Sequence, residues 1–358
     1  MIQAFITAFF SVFLAYIGRR EKNHSYFLLL SFVILTLFLS LGYYWGNDVV
    51  TYENWFEGFE KSSVSWWNFS QYDSFTQKEY GFIFVNLLFK PLGFWGMRAA
   101  LFVIENAIIY SFIVKHVERR WYWLAVFIYV FNTNFWVLSS SMMRQWLAMC
   151  IVVLAVDFLL KKKYLLFTLF LVFAISIHFS AAVCLFIIPL LIFRKKASKV
   201  SIYIYGFFLA LYYLLLPFVS DYIILYLKTE ELYTDYLYEQ DSMGISNVLF
   251  MLIYTIIMYY AVKTKQKDFF LAIIVMLFGL ILPLPSLGEL SARLGYYFTV
   301  FTIGTIPMFM NNTGINKNIR TWTIAFVCLY YIYMFVLFFQ SPTWIKSYGT
   351  YQTIIGKL

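Results

Sequence analysis

Three basic side chains at the edges of apolar runs carry the chemical interest of this sequence: Arg144, Arg293 and His178. Arg144 stands in Ser139-Ser-Ser-Met-Met-Arg-Gln-Trp, at the start of a long apolar run. An arginine in hydrocarbon costs roughly 2.5–3.5 kcal/mol. Such residues therefore face a bundle interior or a wet cavity and meet an anion; snorkelling to the headgroups is the plainer alternative. The serine run and Gln145 make the surroundings polar, which favours a site. Arg293, in Ser291-Ala-Arg-Leu-Gly-Tyr-Tyr-Phe, is predicted near a helix start, where free backbone N–H groups also favour an anion. Glu289, four residues earlier, is the structural partner expected for it. Arg98, at the mouth of another run, is a third candidate for holding substrate and equally an interface anchor. His178, flanked by Ser176 and Ser180, has a side chain that can orient or deprotonate a hydroxyl; a buried His satisfied by a backbone carbonyl is the plain reading. Asp48, Tyr52 and Glu79 complete the set. Carboxylates accept hydrogen bonds from sugar hydroxyls, and aromatic rings stack on the apolar faces of sugars. The rings of Trp55, Phe56, Phe59, Trp66 and Trp67 equally suit a membrane-interface belt.

These residues must be positioned by membrane helices. The chain has 358 residues, 62% hydrophobic and only 13% charged, against about a quarter charged in soluble domains. Its apolar runs are too many for a soluble core, and each needs about 20 residues to cross the hydrocarbon. Period-two alternation, the mark of a membrane barrel, is absent. The class is all-α, a polytopic helix bundle. The predicted segments are Met1–Ile17, Ser25–Tyr44, Trp95–Val114, Trp121–Leu138, Met142–Leu160, a pair within Tyr164–Phe193 that turns near His178, Val200–Val219, Ser246–Val262, Phe269–Leu287, Leu290–Met310 and Thr321–Phe339. That makes about 12 transmembrane helices of ordinary length. Residues 1–358 read as one transmembrane domain, with an outer loop over 45–94 and a second over 220–245. Gly81–Phe94 is apolar but short and interrupted by Lys90-Pro91, so it is predicted to be re-entrant or interfacial.

The charges give the orientation. Eighteen of the 27 Lys and Arg residues fall in six clusters between apolar runs: Arg19 to Lys22, Lys115 to Arg120, Lys161 to Lys163, Arg194 to Lys199, Lys263 to Lys267, and Lys317 with Arg320. Basic loops stay cytoplasmic. One path puts all six clusters inside and thirteen of the 18 acids outside. Glu105 is then mid-membrane, and Asp157 is predicted at the inner end of its helix, paired with a nearby lysine. Arg144, Arg293, His178, Asp48 and Glu79 share the outer end. Small basic turns, with no continuous basic face, argue against nucleic acid. The first run lacks a basic n-region and reads as a retained helix. The three cysteines lie in apolar runs without metal spacing, and P-loop, HExxH, GxSxG and outer DxD motifs are absent. No cofactor and no metal is expected.

The order of short motifs resembles one family. Gly-x-Asp-x-x-x-Tyr (Gly46, Asp48, Tyr52) is followed by Glu-x-Gly (Glu79, Gly81), then Ser-x-x-Arg-Gln-x-x-Ala (Ser141, Arg144, Gln145, Ala148) and Ala-x-x-x-His-x-Ser-Ala (Ala174, His178, Ser180, Ala181). The set resembles the EpsG family, Wzy-type polysaccharide polymerases of bacterial envelopes. It departs from the family at Tyr80, where a proline often stands. The resemblance implies a GT-C-like polymerase architecture in the bacterial cytoplasmic (inner) membrane, with the active site outside. It implies metal-independent glycosyl transfer from a polyprenyl-diphosphate-linked oligosaccharide to a sugar hydroxyl of another lipid-linked repeat unit. The polymer would be O-antigen, capsule or exopolysaccharide, with membrane lipid around the site and a chain-length regulator protein as a partner. Arg144 and Arg293 would then grip the diphosphate, and His178 or an outer carboxylate, Asp48 or Glu79, would take the acceptor proton. Asp48, Tyr52, Glu79, Arg98 and Gln145 would bind substrate. The rivals are an O-antigen ligase, which shares the donor, and a non-enzymatic lipid-linked oligosaccharide flippase or transporter, which should carry cations at mid-depth.

Overall fold

A computed structural model describes residues 1–19, 24–61, 79–190, 288–311 and 315–357. The described residues are helical, and their regular elements contain no strand. The chain divides into two compact units, Met1–Ala182 with Thr321–Leu358, and Val183–Arg320. In the first unit, α1 is Ile2–Gly18, α2 His24–Leu41, α3 Val49–Lys61, α4 Tyr80–Phe89, α5 Gly93–His116, α6 Tyr122–Phe131, α7 Met143–Leu160 and α8 Tyr164–Ile177. The second unit holds α9 Ile187–Leu190, α10 Gly288–Thr299 and α11 Thr302–Met310. The chain then continues through α12 Lys317–Gln340 and α13 Pro342–Tyr348. The predicted segments Val200–Val219, Ser246–Val262 and Phe269–Leu287, and the loop 220–245, lie outside the described residues.

The packing is that of a membrane protein. The buried face of α1 is Ala4, Ala8, Ser11, Ala15 and Gly18, with Leu14, while Phe5, Phe9, Phe10 and Phe13 are exposed. Small residues at intervals of three and four let backbones approach, and large apolar side chains face outward, as lipid requires. In α12 a narrow stripe of Val327, Tyr331, Phe335, Phe338 and Phe339 is buried, and Trp322, Leu329 and Tyr333 are exposed. By contrast α7 is buried on nearly every side and is hydrophobic all round, the pattern of a helix enclosed by others. It packs along α5 and α8. Three described stretches are long and apolar enough to cross a membrane: Tyr80–His116, Met143–Leu160 and Lys317–Gln340.

α7 turns into α8 through Lys161-Lys162-Lys163. Lys163 N–H donates to the Phe158 carbonyl at 2.9 Å and Lys162 N–H to that of Leu159 at 2.9 Å. Lys162 has φ +61°. This is a Schellman stop, built on a left-handed residue that is usually glycine. Lys115 Nζ and His116 Nε2 each lie 2.6 Å from an Asp157 oxygen, and Lys161 Nζ lies 3.6 Å away. The lysine pairing expected for Asp157 is therefore present, at the far end of α7 from Arg144, about 20 Å along the helix by rise.

Two predicted helices need correction. The run Trp121–Leu138 is not one helix. α6 stops at Phe131, because Asn132 leaves the helical region and its side-chain oxygen accepts from Asn134 N–H at 3.3 Å. Short polar side chains compete with the helix in this way. The following segment to Met142 is irregular yet buried, its carbonyls and N–H groups paired locally, as between Leu138 N and Thr133 O at 2.9 Å. Irregular backbone is tolerated at membrane depth only inside protein. Leu290–Met310 likewise breaks at Val300-Phe301, between α10 and α11. Past Phe339 the chain continues into α13, and the tail folds back on the end of α2. There Tyr43 N–H meets the Gln352 carbonyl and Ile354 N–H the Leu41 carbonyl, both at 2.8 Å.

α4 has ten residues. That is about 15 Å by helical rise, half of the roughly 30 Å hydrocarbon. A single 3-10 turn, Lys90–Leu92, joins it to α5.

Candidate functional site

Glu79 precedes the first residue of α4 and is 5% exposed. A buried carboxylate must find donors or stay protonated. Glu79 finds three. Arg144 Nη1 is 2.5 Å from Oε2, His178 Nδ1 is 2.6 Å from Oε1, and Phe179 N–H donates to Oε1 at 3.1 Å. Burial alone would raise the Glu79 pKa. The His178 hydrogen bond and charge, the Arg144 guanidinium and the Phe179 N–H outweigh it, and hold the carboxyl below its ordinary value. An ionised Glu79 only accepts, so His178 donates to it from Nδ1 and leaves Nε2 for another group.

The partners reach Glu79 from two stretches of chain. Arg144 is the second residue of α7, placed where the buried loop after α6 ends. His178 stands where α8 stops, with extended backbone at φ −150° and ψ 115°. That break frees the Phe179 N–H to donate to a side chain. Glu79 comes close to α8 because of Gly81. A Cβ there would lie 2.3 Å from Ser176 Oγ, 2.7 Å from Ser176 C and 2.9 Å from Ile177 N. Backbone cannot yield at such distances, so Glu-x-Gly is a packing rule: the glycine lets α4 touch α8, and the acid two residues earlier meets the histidine.

The Arg144 side chain is 18% exposed and that of His178 19%, above a Glu79 at 6%. The Arg144 guanidinium carbon is 4.7 Å from the Trp55 ring centroid and 5.9 Å from that of Tyr52. Stacking uses the guanidinium face and leaves its edge for hydrogen bonds. Arg144 Nε is buried with no hydrogen-bond partner among the described residues. Tyr52 is buried, and burial raises its phenol pKa. Asp48 is half-buried just before α3 and bears electrostatically on Tyr52 and Tyr348. Its carboxylate suits the positive end of that helix.

The remaining motif residues hold the loop before α3 in place. Gly46 has φ +138°, and a Cβ on it would lie 2.9 Å from the Ser140 carbonyl oxygen. Ser141 Oγ accepts from Asn47 N–H at 2.7 Å and lies 2.5 Å from the Tyr348 hydroxyl. Arg98, expected at an open helix mouth, is 1% exposed instead. It donates to the carbonyls of Gly42 at 2.5 Å and Trp45 at 3.3 Å. The end of α2 releases carbonyls that need donors, and a cation there suits the helix dipole. Gln145 is buried beside Arg144. Arg293 is the sixth residue of α10, partly exposed, in the second unit. Sequence reasoning missed Trp55 as an Arg144 partner. The available signal was its spacing of three from Tyr52 on an amphipathic helix.

Apolar helices with a buried acid, an arginine and a histidine gathered near one end define a helical membrane protein with a built polar site. The chain belongs to the EpsG family, which it matches over residues 25–353, nearly its whole length. EpsG is a family of Wzy-type polymerases. No curated protein and no solved structure matches the chain.

Two outcomes are expected. Gly81→Ala should lower stability by about 1–3 kcal/mol through overpacking, read by thermal melting in detergent, and should cost activity by parting Glu79 from His178. The lowered Glu79 pKa stabilises the fold above the unfolded carboxylate value of about 4.3. That contribution is lost as pH falls through the folded value. Glu79→Gln should therefore be less stable at neutral pH and should flatten the acid limb of a stability–pH curve.

Proposed function

We propose that this chain is a glycosyltransferase that polymerises oligosaccharide repeat units carried on polyprenyl diphosphate, at the outer face of the bacterial cytoplasmic membrane. The Glu79–Arg144–His178 cluster carries the reading, because it combines in one place the two chemistries such a transfer needs. In the reaction, the acceptor hydroxyl oxygen bonds to the anomeric carbon of the donor. The bond from that carbon to the diphosphate oxygen breaks, and the polyprenyl diphosphate leaves with the electron pair. His178 Nε2 takes the acceptor proton. Glu79 holds the ring by Nδ1 and stabilises the imidazolium that forms. Arg144 offers its guanidinium edge to the departing diphosphate, where stabilising developed charge gives the greatest rate advantage. Arg293 is the second cation in this reading, and Asp48, Tyr52 and Glu79 are the groups around the acceptor.

The orientation rests on sidedness. The Asp157 end of α7 carries Lys115, Arg119, Arg120 and Lys161 to Lys163, and basic ends stay cytoplasmic. The cluster lies toward the opposite end of the same helix. A bundle of about 12 ordinary spans with a GT-C-like architecture completes the proposal. Surrounding membrane lipid and a chain-length regulator are its partners, and the product is O-antigen, capsule or exopolysaccharide.

Purified protein mixed with lipid-linked repeat units should yield a ladder on a gel. Arg144→Ala should abolish the ladder while its level in the membrane is kept, and Arg144→Lys should not restore it, because a lysine lacks the planar fork. His178→Ala should lower turnover by about 10²–10⁴, the usual worth of a general base. Normal ladders from Arg144→Ala would remove it from the site.

A further inference from the structure

A group of rings set between the end of α2 and the start of α5 takes no part in the Glu79 cluster. Tyr43 and Tyr44 have ring centroids 4.4 Å apart. Tyr43 stacks on Trp95 at 5.4 Å and 24°, and Tyr44 meets Trp95 edge-on at 5.3 Å. The Tyr44 hydroxyl donates to Glu53 Oε2 at 2.5 Å. Lys357 Nζ is 5.8 Å from the Tyr43 ring, and the Arg98 guanidinium is 5.4 Å from that of Trp95. Tyr44 is 37% exposed, while Tyr43 and Trp95 are half-buried.

This cluster is held rigidly. Tyr43 N–H is tied to the Gln352 carbonyl at 2.8 Å, and the carbonyls on either side of the two tyrosines, those of Gly42 and Trp45, are held by Arg98. Tyr44 has φ +46°, a left-handed backbone that a bulky residue rarely adopts. Such strain persists where surrounding structure enforces it, and it gathers at binding sites. A lipid-facing belt residue needs none of this, since one ring at the headgroup level suffices. Fixed rings beside a carboxylate are what a pyranose needs: its C–H face stacks on the rings and its hydroxyls donate to the acid. Glu53 also adjoins Tyr52, whose ring flanks Arg144.

We propose that Tyr43, Tyr44, Trp95 and Glu53 form a saccharide subsite, which holds sugars of the glycan remote from the bond being made. The identity of that glycan rests on the polymerase reading; the stacking chemistry does not.

The test uses the full chain in nanodiscs and a soluble oligosaccharide cut from the surface polysaccharide of the strain that carries this protein. Binding is read by calorimetry. Trp95→Leu, which keeps an apolar side chain but loses the ring, should weaken binding about tenfold, and Trp95→Phe should stay within about threefold. Glu53→Gln, at a partly exposed position, should weaken it several-fold and keeps the test decisive if Trp95→Leu fails to fold. Equal affinity in wild type, Trp95→Leu and Glu53→Gln, as a lipid belt would give, overturns the subsite, as does absence of binding to wild type. A wild type that makes no ladder yet binds the oligosaccharide through Trp95 leaves the subsite standing and sinks the polymerase reading instead.

Discussion

A carboxylate sealed from water is held ionised by three donors that arrive from two separate stretches of chain. Glu79 enters from the start of α4, Arg144 from the start of α7, and His178 with the Phe179 N–H from the end of α8. An unpaired charge at 5% exposure would be costly, so these elements cannot move independently without breaking the set. The arrangement also divides the labour of the site. The buried acid has all its visible bonds inside, whereas the arginine and histidine keep part of their surface exposed.

Several features that look like local oddities serve that contact. Gly81 lets two helix backbones touch where any Cβ would collide with Ser176 and Ile177. The asparagines after α6 end a helix early, and the buried irregular segment that follows delivers Ser141 and Arg144. Ser141 then clasps the loop at Asn47 and the Tyr348 hydroxyl, so the tail after α12 becomes a wall behind the Gly46–Tyr52 segment. Arg98 closes the same wall from inside by holding the carbonyls of Gly42 and Trp45.

α7 links two polar sites of the same make-up, a buried acid among basic side chains. Near its first turn lies the Glu79 cluster, with one acid against an arginine and a histidine. In its last turn Asp157 gathers Lys115, His116 and Lys161. Between them the helix is apolar on every side. Fixed charge at the two ends, separated by hydrocarbon-like protein, sets the depth of the helix in a bilayer. The Asp157 end requires no ligand to account for its bonding, since two lysines and a histidine reach the carboxylate within the fold.

The sequence by itself determined the class and the run of apolar segments, because hydropathy is an additive property of local composition. It also marked Arg144, His178 and Glu79, since polar residues at the edge of apolar runs must be explained individually. Only the tertiary structure decided what those residues do to one another. Glu79 and His178 are 99 positions apart, and no local pattern states that an acid will meet a histidine across a glycine contact. Arg98 shows the same limit in reverse. From sequence it is one more arginine at a helix mouth, yet packing places it inside, among carbonyls that α2 leaves unpaired. Trp55 and the tail after Phe339 were illegible for a related reason. A ring at a membrane edge and a short polar stretch after a helix acquire their roles only from what folds against them.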